Sequence, residues 1–474
     1  MIVSGIFAPL VLAAAASADV LRVPVARIPP GAVTRQDLQP HLSKRASFTE
    51  FLVNNITGGG YYASISVGSP GQALNLILDT GSSDAFLVAK DANICQSKML
   101  QAYHHTTCGH TFDPSQSSTY QVLIPDGFRI GYLDGSNALG DYITDKFEIG
   151  GATVDALQMG LAKKTITGTG VLGIGFTANE AAADEYPNLV DQMVDQGLIP
   201  SRAYSLYLND YDSSTGSILF GGVDSEKFWG ELVIVPVLPD AQTQNYTTFT
   251  VGMTALSFTF PNGTTHDATL LGGSLNALLD SGTTLTYLPP GIAMPILTAL
   301  GAYTHIPSPD AIALSLVDCA LASSGLEFTF RFNDAVTIVV PVDELIINAY
   351  RHGGAPQDAP FAETCIFGVQ NSGHIPLGDP AGLMSLALLG DTFLRSAYVV
   401  YDIDNRKLGL AQANLNSTES NIQEMKAGLF GLPVYTGAAR PEPNGSAVSN
   451  TGMGTSKSTS SKGAIGMGTL SLVE

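Results

Sequence analysis

Two short stretches carry residue types that could do chemistry together: Leu78-Asp79-Thr80-Gly81-Ser82-Ser83 and Leu279-Asp280-Ser281-Gly282-Thr283-Thr284. Each is an apolar run that ends in an acid, a hydroxyl residue and a glycine, the pattern of a strand that delivers an aspartate and turns sharply. One copy is an ordinary turn. The second copy changes the reading, because Val171-Leu172-Gly173 follows the first and Leu388-Leu389-Gly390 follows the second, each at roughly 100 residues. A repeated order of parts at comparable spacing implies two related halves whose turns can meet about an axis. Two carboxylates about 3 Å apart cannot both ionise easily, so they share a proton. The ionised member can then take a proton from water while the protonated member polarises a carbonyl. Asp79 and Asp280 are the expected catalytic pair. Gly81 and Gly282 permit close backbone approach to them.

Other segments join these two. They are Ile130-Gly131-Tyr132, the run Ala203-Tyr204-Ser205-Leu206-Tyr207-Leu208, and Phe393-Leu394-Arg395-Ser396-Ala397-Tyr398. With them the chain resembles the pepsin-like aspartic proteases from about Tyr61 to Ala413, most closely the secreted fungal branch of candidapepsins and yapsins. The resemblance implies an all-β, bilobal fold with a cleft between two β-barrel-like lobes, and peptide hydrolysis without a cofactor or bound metal. It matches Thr80 and Ser281 to hydroxyls that cross the lobe interface. It matches Ser82 and Thr283 to hydroxyls that hydrogen-bond the aspartates. It makes Tyr132 the flap tyrosine, and Gly81, Asp134, Gly135, Gly282 and Thr284 substrate-binding positions. Two residues depart from the family pattern: Leu133 stands where glycine usually follows the flap tyrosine, and Phe86 stands where many relatives carry tryptophan.

The elements that must position these residues read as strands. Short runs such as 61–67, 218–220, 232–237, 328–332, 336–340 and 397–401 alternate with Gly, Pro and Asn turns, and the chain holds 50 glycines and 26 prolines. That is an all-β pattern. Candidate helices are 187–196, 292–300 and 342–349. The lobe boundary is placed within 236–245, which gives an N-terminal lobe over 46–238 and a C-terminal lobe over 239–414. The 474 residues are 45% hydrophobic, only 14% charged, and carry a formal net charge of −20. So acidic a chain is not steered to nucleic acid or anionic membrane. Protonating its carboxylates lessens self-repulsion, which suits work in acid.

Residues 1–18 read as a secretory signal, with an apolar run ending in Ala16-Ser17-Ala18. Residues 19–45 read as a basic propeptide on an acidic body, releasable when carboxylates protonate. Lys44-Arg45 is a dibasic site for a kexin-type processing protease. No later run is long and apolar enough to span a bilayer. Residues 415–474 turn rich in Ser, Thr, Gly and Asn and read as a disordered tail. A free, secreted, extracellular monomer is expected, with wall or surface attachment as the alternative the tail allows. Sequons occur at Asn55, Asn245, Asn262, Asn416 and Asn444. Four cysteines, an even number, fit an oxidising compartment. By order and by the family resemblance, Cys95 pairs with Cys108 and Cys319 with Cys365.

Rival readings exist for several of these features. Cys95, Cys108 and the histidines 104, 105 and 110 could form a metal cluster, but the tight cysteine pair usual for zinc is absent. Gly168 to Gly173 matches a dinucleotide-binding pattern, yet Ile174-Gly175-Phe176 does not start a clear helix. A glycosidase would want its two acids wider apart, roughly 5 to 9.5 Å, and would leave the duplicated loops unexplained. A protein- or peptide-binding module that has lost activity would be expected to have lost an aspartate or its supports. The loop between Cys95 and Cys108 contains Lys98 and no acid, which argues against strict specificity for basic side chains.

Overall fold

A computed structural model describes residues 20–27, 60–104, 106–213, 215–306, 312–350, 354–375, 385–425 and 434–440. The strand Gln72–Asp79 delivers the first aspartate. Leu74, Leu76 and Leu78 are buried in it, the composition of a strand covered on both faces. It pairs in parallel with Val171–Gly173, setting Leu78 opposite Leu172 and Asp79 opposite Gly173. The second half repeats this pairing. Leu275–Leu279 runs parallel to Leu386–Leu389, with Leu278 opposite Leu388 and Leu279 opposite Leu389. In each half the strand after the aspartate turn then runs antiparallel to the hydrophobic-glycine strand: Ala85 faces Leu172, and Tyr287 faces Leu388. The duplication read from sequence is thus a duplication of topology in an all-β, bilobal fold.

Among the described residues, a 13-stranded sheet and an 8-stranded sheet carry the two aspartate strands. The larger sheet also joins the halves. Ala203–Tyr207 pairs antiparallel with Ala397–Asp402, which pairs in turn with Lys407–Ala413. Tyr204 and Tyr401 stack across this junction with ring centroids 4.9 Å apart. An apolar cluster including Leu285, Tyr287, Leu314, Ile347, Ile366 and Leu388 lies in the C-terminal half. The bonds Cys95–Cys108 and Cys319–Cys365 are both formed, so neither cysteine of the first pair is a thiolate for a metal. No described helix is long and apolar enough to cross a membrane.

The expected helix at 187–196 is present as Leu189–Asp195, started by a capping box between Asn188 and Asp191. That at 292–300 starts two residues earlier, as Pro290–Ala299, with proline in its first turn. The expected helix at 342–349 is corrected. Val342–Leu345 is a single 3₁₀ turn, and Ile346–Ile347 pairs as a strand with Thr364–Phe367. Two adjacent isoleucines favour the strand, and buried Glu344 is drawn to the buried Arg395 guanidinium.

Two terminal segments differ from their sequence reading. Within the expected propeptide, Leu21–Arg27 is a strand inside the larger sheet, paired with Thr215–Phe220 on one side and Tyr61–Val67 on the other. Val23 and Val25 are buried, whereas Arg22 is exposed and 4.0 Å from Asp224. Strand pairing and valine burial hold the segment more than charge does. The tail is not disordered from Leu415. Ile422–Glu424 pairs with Gly222–Asp224, and Met425 and Tyr435 are buried beside Phe228 and Tyr398. Polar composition hid these apolar anchors. The expected signal at 1–18, the Lys44-Arg45 site, Asn55, Asn444 and the tail beyond residue 440 lie outside the described residues.

Candidate active site

Each aspartate sits at the end of its strand, where a tight turn points backbone donors back at the carboxylate. Asp79 Oδ1 accepts from the Gly81 N–H at 2.8 Å, and its Oδ2 accepts from the Ser82 hydroxyl. Asp280 repeats the arrangement: its Oδ1 accepts from the Gly282 N–H at 2.8 Å and its Oδ2 from the Thr283 hydroxyl at 2.7 Å. Both acids are buried, and their carboxyl groups lie within hydrogen-bonding reach of each other. The glycines make this approach possible. A Cβ at Gly81 would stand 2.6 Å from Asp280 Oδ1, and one at Gly282 would collide with the Asp79 carboxyl.

The turns are locked to one another by hydroxyls that cross between the halves. Thr80 donates from its hydroxyl to the Leu279 carbonyl at 3.0 Å, and Ser281 from its hydroxyl to the Leu78 carbonyl at 2.8 Å. In return the Ser281 N–H donates to Thr80 Oγ1 at 3.0 Å, and the Thr80 N–H to Ser281 Oγ at 3.2 Å. All four contacts are buried, where a geometric lock is not competed away by water. The turns are also tied to the hydrophobic-glycine strands. The Gly175 N–H donates to the Ser82 carbonyl at 2.8 Å, and the Asp391 N–H to the Thr283 carbonyl at 2.9 Å. Thr284 is half-buried, and its carbonyl accepts from the Thr392 N–H at 3.1 Å.

Burial holds the Asp79 carboxyl well above the usual carboxylate range, and the nearby Asp280 charge adds to this. The Ser82 hydroxyl and the Gly81 N–H pull the other way. A carboxyl so raised keeps its proton and can hydrogen-bond a substrate oxygen, one half of the acid–base work that uses water as a nucleophile.

A hairpin of Gln121–Gly131 and Asn137–Ile149 covers this floor. Its tip closes through Tyr132 N–H to Ser136 carbonyl at 2.9 Å and Gly135 N–H to Tyr132 carbonyl at 3.0 Å, with Gly135 in the left-handed region at φ 82°. The Asp134 carboxylate is committed to its own turn, accepting from the Ser136 N–H at 2.8 Å. The Tyr132 hydroxyl is buried near Ser82 and Asp79, and its proton is held far above the usual phenol range, first by burial and then by the Asp79 charge. Its ring lies 6.5 Å from Phe86, which continues through Phe128, Tyr142 and Tyr186 as a row of aromatic contacts 5.3–5.7 Å apart. Phe86 therefore keeps an aromatic seat for the flap while offering no indole N–H. Leu133 packs against the C-terminal apolar cluster around Tyr287. The flap tip thus bridges to the opposite half.

Sequence reasoning missed the residues behind the first turn. Asn179 donates from its side chain to the Gly81 carbonyl at 3.1 Å. Asp84, fully buried, accepts from the Tyr142 and Tyr186 hydroxyls at 2.8 and 2.9 Å and from the Ala181 N–H at 2.7 Å. Asp84 lies next to the first motif, but nothing in its spacing distinguishes it from a solvated acid. The glycine-rich run 168–173 ends in a strand, and a 3₁₀ turn, Thr177–Asn179, follows it, so it has no helix start for a phosphate. Asn245, Asn262 and Asn416 are exposed.

Residues 60–413 match the family model described as eukaryotic aspartyl protease. The chain is 41% identical over 394 residues to the "Probable aspartic-type endopeptidase opsB" of Aspergillus fumigatus, covering 80% of this chain and 74% of that protein. It is 36% identical over 372 residues to "Secreted aspartic protease 6" of Candida albicans, covering 76% and 78%. It is 35% identical over 364 residues to Candidapepsin-4 of the same species, covering 76% and 78%. The duplicated turns, the facing acids and these relatives converge: the chain belongs to the eukaryotic aspartyl protease family.

Proposed function

We propose that this chain is a secreted endopeptidase, made as a zymogen, that hydrolyses internal peptide bonds in acid. The observation that carries the reading is the facing pair Asp79 and Asp280, each with a matched backbone and hydroxyl donor. The substrate lies extended between the flap and the two glycine turns, hydrogen-bonded as an added strand. One carboxylate takes a proton from water as the water attacks the amide carbon. The protonated carboxyl, the state favoured at Asp79, hydrogen-bonds the developing oxyanion. The tetrahedral species then collapses as the nitrogen is protonated and leaves. Thr80 and Ser281 hold the turns, Ser82 and Thr283 hold the carboxylates, and Tyr132 shields the site from water.

Secretion is supported by the apolar leader, the even cysteine count and exposed sequons, and it agrees with the printed name of the Candida relative. Processing by a kexin-type protease at Lys44-Arg45 would sever the inserted strand from the body. The paired strand then stays in the sheet as a bound peptide until something displaces it. Size-exclusion chromatography after cleavage at neutral pH is expected to recover the segment with the body, with little response to salt, because backbone pairing is not screened as a surface ion pair is. The function itself is tested by digesting a peptide library with the processed protein at about pH 4. Cleavage blocked by a hydroxyl-bearing mimic of the tetrahedral species is the expected result; no turnover at any pH would refute the reading.

A further inference from the structure

Behind the first catalytic turn lies a second pair of acids that the reaction does not use. Asp84 is fully buried and bound by three neutral donors: the hydroxyls of Tyr142 and Tyr186 and the N–H of Ala181. No ion pair to it occurs among the described residues within 4 Å. Glu180 is the residue before Ala181. Its Oε2 accepts from the Tyr186 N–H at 2.8 Å, while its Oε1 is buried with no hydrogen-bond partner.

The charged groups that face Glu180 are all acids. Asp84 comes from the catalytic loop, Glu185 from its own loop and Asp191 from the following helix. Asp191 is paired with Arg202 at 3.1 Å and Glu185 is exposed, so Asp84 is the least compensated neighbour. Tyr142, on the flap hairpin, and Tyr186 also face it, as neutral hydroxyls. An ionised Glu180 would set a second negative charge beside a buried one, with an oxygen that nothing solvates.

Three parts of the site meet at this point. The loop that carries Glu180 touches the catalytic turn through Asn179 on the Gly81 carbonyl at 3.1 Å, and through the Ser83 hydroxyl on the Phe176 carbonyl at 2.6 Å. Tyr142 belongs to the second strand of the flap hairpin.

We propose that Glu180 is a positioning residue whose neutral carboxyl seats the 177–186 loop on Asp84, keeping the Gly81 turn and the flap strand in place, and whose ionisation releases them. The proposal rests on the peptidase reading and sets the upper pH limit of that activity. Burial pushes the Glu180 carboxyl up to about 8, with the Asp84 charge adding to the rise and the Tyr186 N–H opposing it. Below that range the loop is seated. Above it, repulsion from Asp84 opens the junction.

The test compares the processed enzyme with Glu180→Gln, which keeps the shape and cannot ionise. Activity and melting temperature are followed from acid to mildly alkaline pH. Glu180→Gln is expected to carry the upper limb of both profiles about one pH unit higher, roughly tenfold more activity where the wild type has failed. A change that only disturbed packing would lower both profiles without moving the limb. Superimposable upper limbs would overturn the proposal. Hydrogen exchange in the wild type supplies an independent reading: corrected rates at residues 81–83 and 177–181 should rise through the same pH range, and constant rates would also overturn it. Melting and exchange need no substrate, so absence of peptide turnover in both forms would count against the peptidase reading alone.

Discussion

The two acids proposed to be catalytic, Asp79 and Asp280, have the same set of donors, yet their settings differ. Gly81 is half-buried where Gly282 is exposed, and Ser82 is buried where Thr283 is only partly so. The first turn is therefore the drier one, and Asp79 is where a proton is retained. Its bond from Ser82 favours the ionised form, so removing that hydroxyl should raise the higher pKa of the pair. A buried hydrogen bond to a charged group is worth about 1.5–3 kcal/mol, and one pKa unit corresponds to about 1.4 kcal/mol. Ser82→Ala is expected to raise that pKa by about one unit, read by NMR titration of the aspartate carboxyl groups. An unmoved pKa would show that Ser82 does not tune the pair. Asp79→Asn and Asp280→Asn should each lower kcat/KM on the order of 10²–10⁴-fold, the span of one positioned acid or base. At this scale the sequence made the aspartates, their glycines and their hydroxyls legible, because each follows its acid within one turn. Asn179, Asp84 and Tyr142 were not legible, since their hydrogen bonds span from 58 to 102 positions of chain and follow no local pattern.

Among elements, the flap departs most from what the sequence implied. Glycine after the flap tyrosine would leave the tip free, whereas Leu133 anchors it on the apolar cluster around Tyr287. Half-burying a leucine contributes about 1 kcal/mol, and glycine adds backbone freedom to the open state. Leu133→Gly is expected to speed hydrogen exchange of residues 130–137 about fivefold or more while leaving exchange in the Ala203–Tyr207 strand unchanged. Equal rates in the tip would mean that the contact does not hold the flap. Strands with clear alternation or continuous apolar runs were readable, as at Tyr61–Val67 and Glu327–Phe332. The misread helix at 342–349 shows why others were not. Its apolar spacing fits a helix, but the partner strand Thr364–Phe367 and the buried Glu344–Arg395 pair decide its conformation, and both are remote in sequence.

For the whole molecule, acidity and buried carboxyls act in one direction. Asp79, Glu180, Glu344 and Asp402 all have carboxyls raised by burial, in Glu344 despite the opposing charge of Arg395. A raised folded-state pKa means that the native state binds more protons than the unfolded chain. Stability is then fully present below the unfolded pKa, near 4 to 4.5, and is lost as pH climbs through the folded value, which for Glu180 is about 8. Asp113, Asp240 and Asp358 are lowered and act oppositely, but they are solvated surface groups whose interactions are screened. A formal net charge of −20 adds self-repulsion as the remaining carboxylates ionise. The melting temperature should therefore fall from about pH 4.5 to about pH 8, on the order of 5–10 °C in total. Scanning calorimetry across that range checks the sign. A melting temperature that rose with pH would mean that the surface ion pairs outweigh the buried acids, and that the fold is not built for acid.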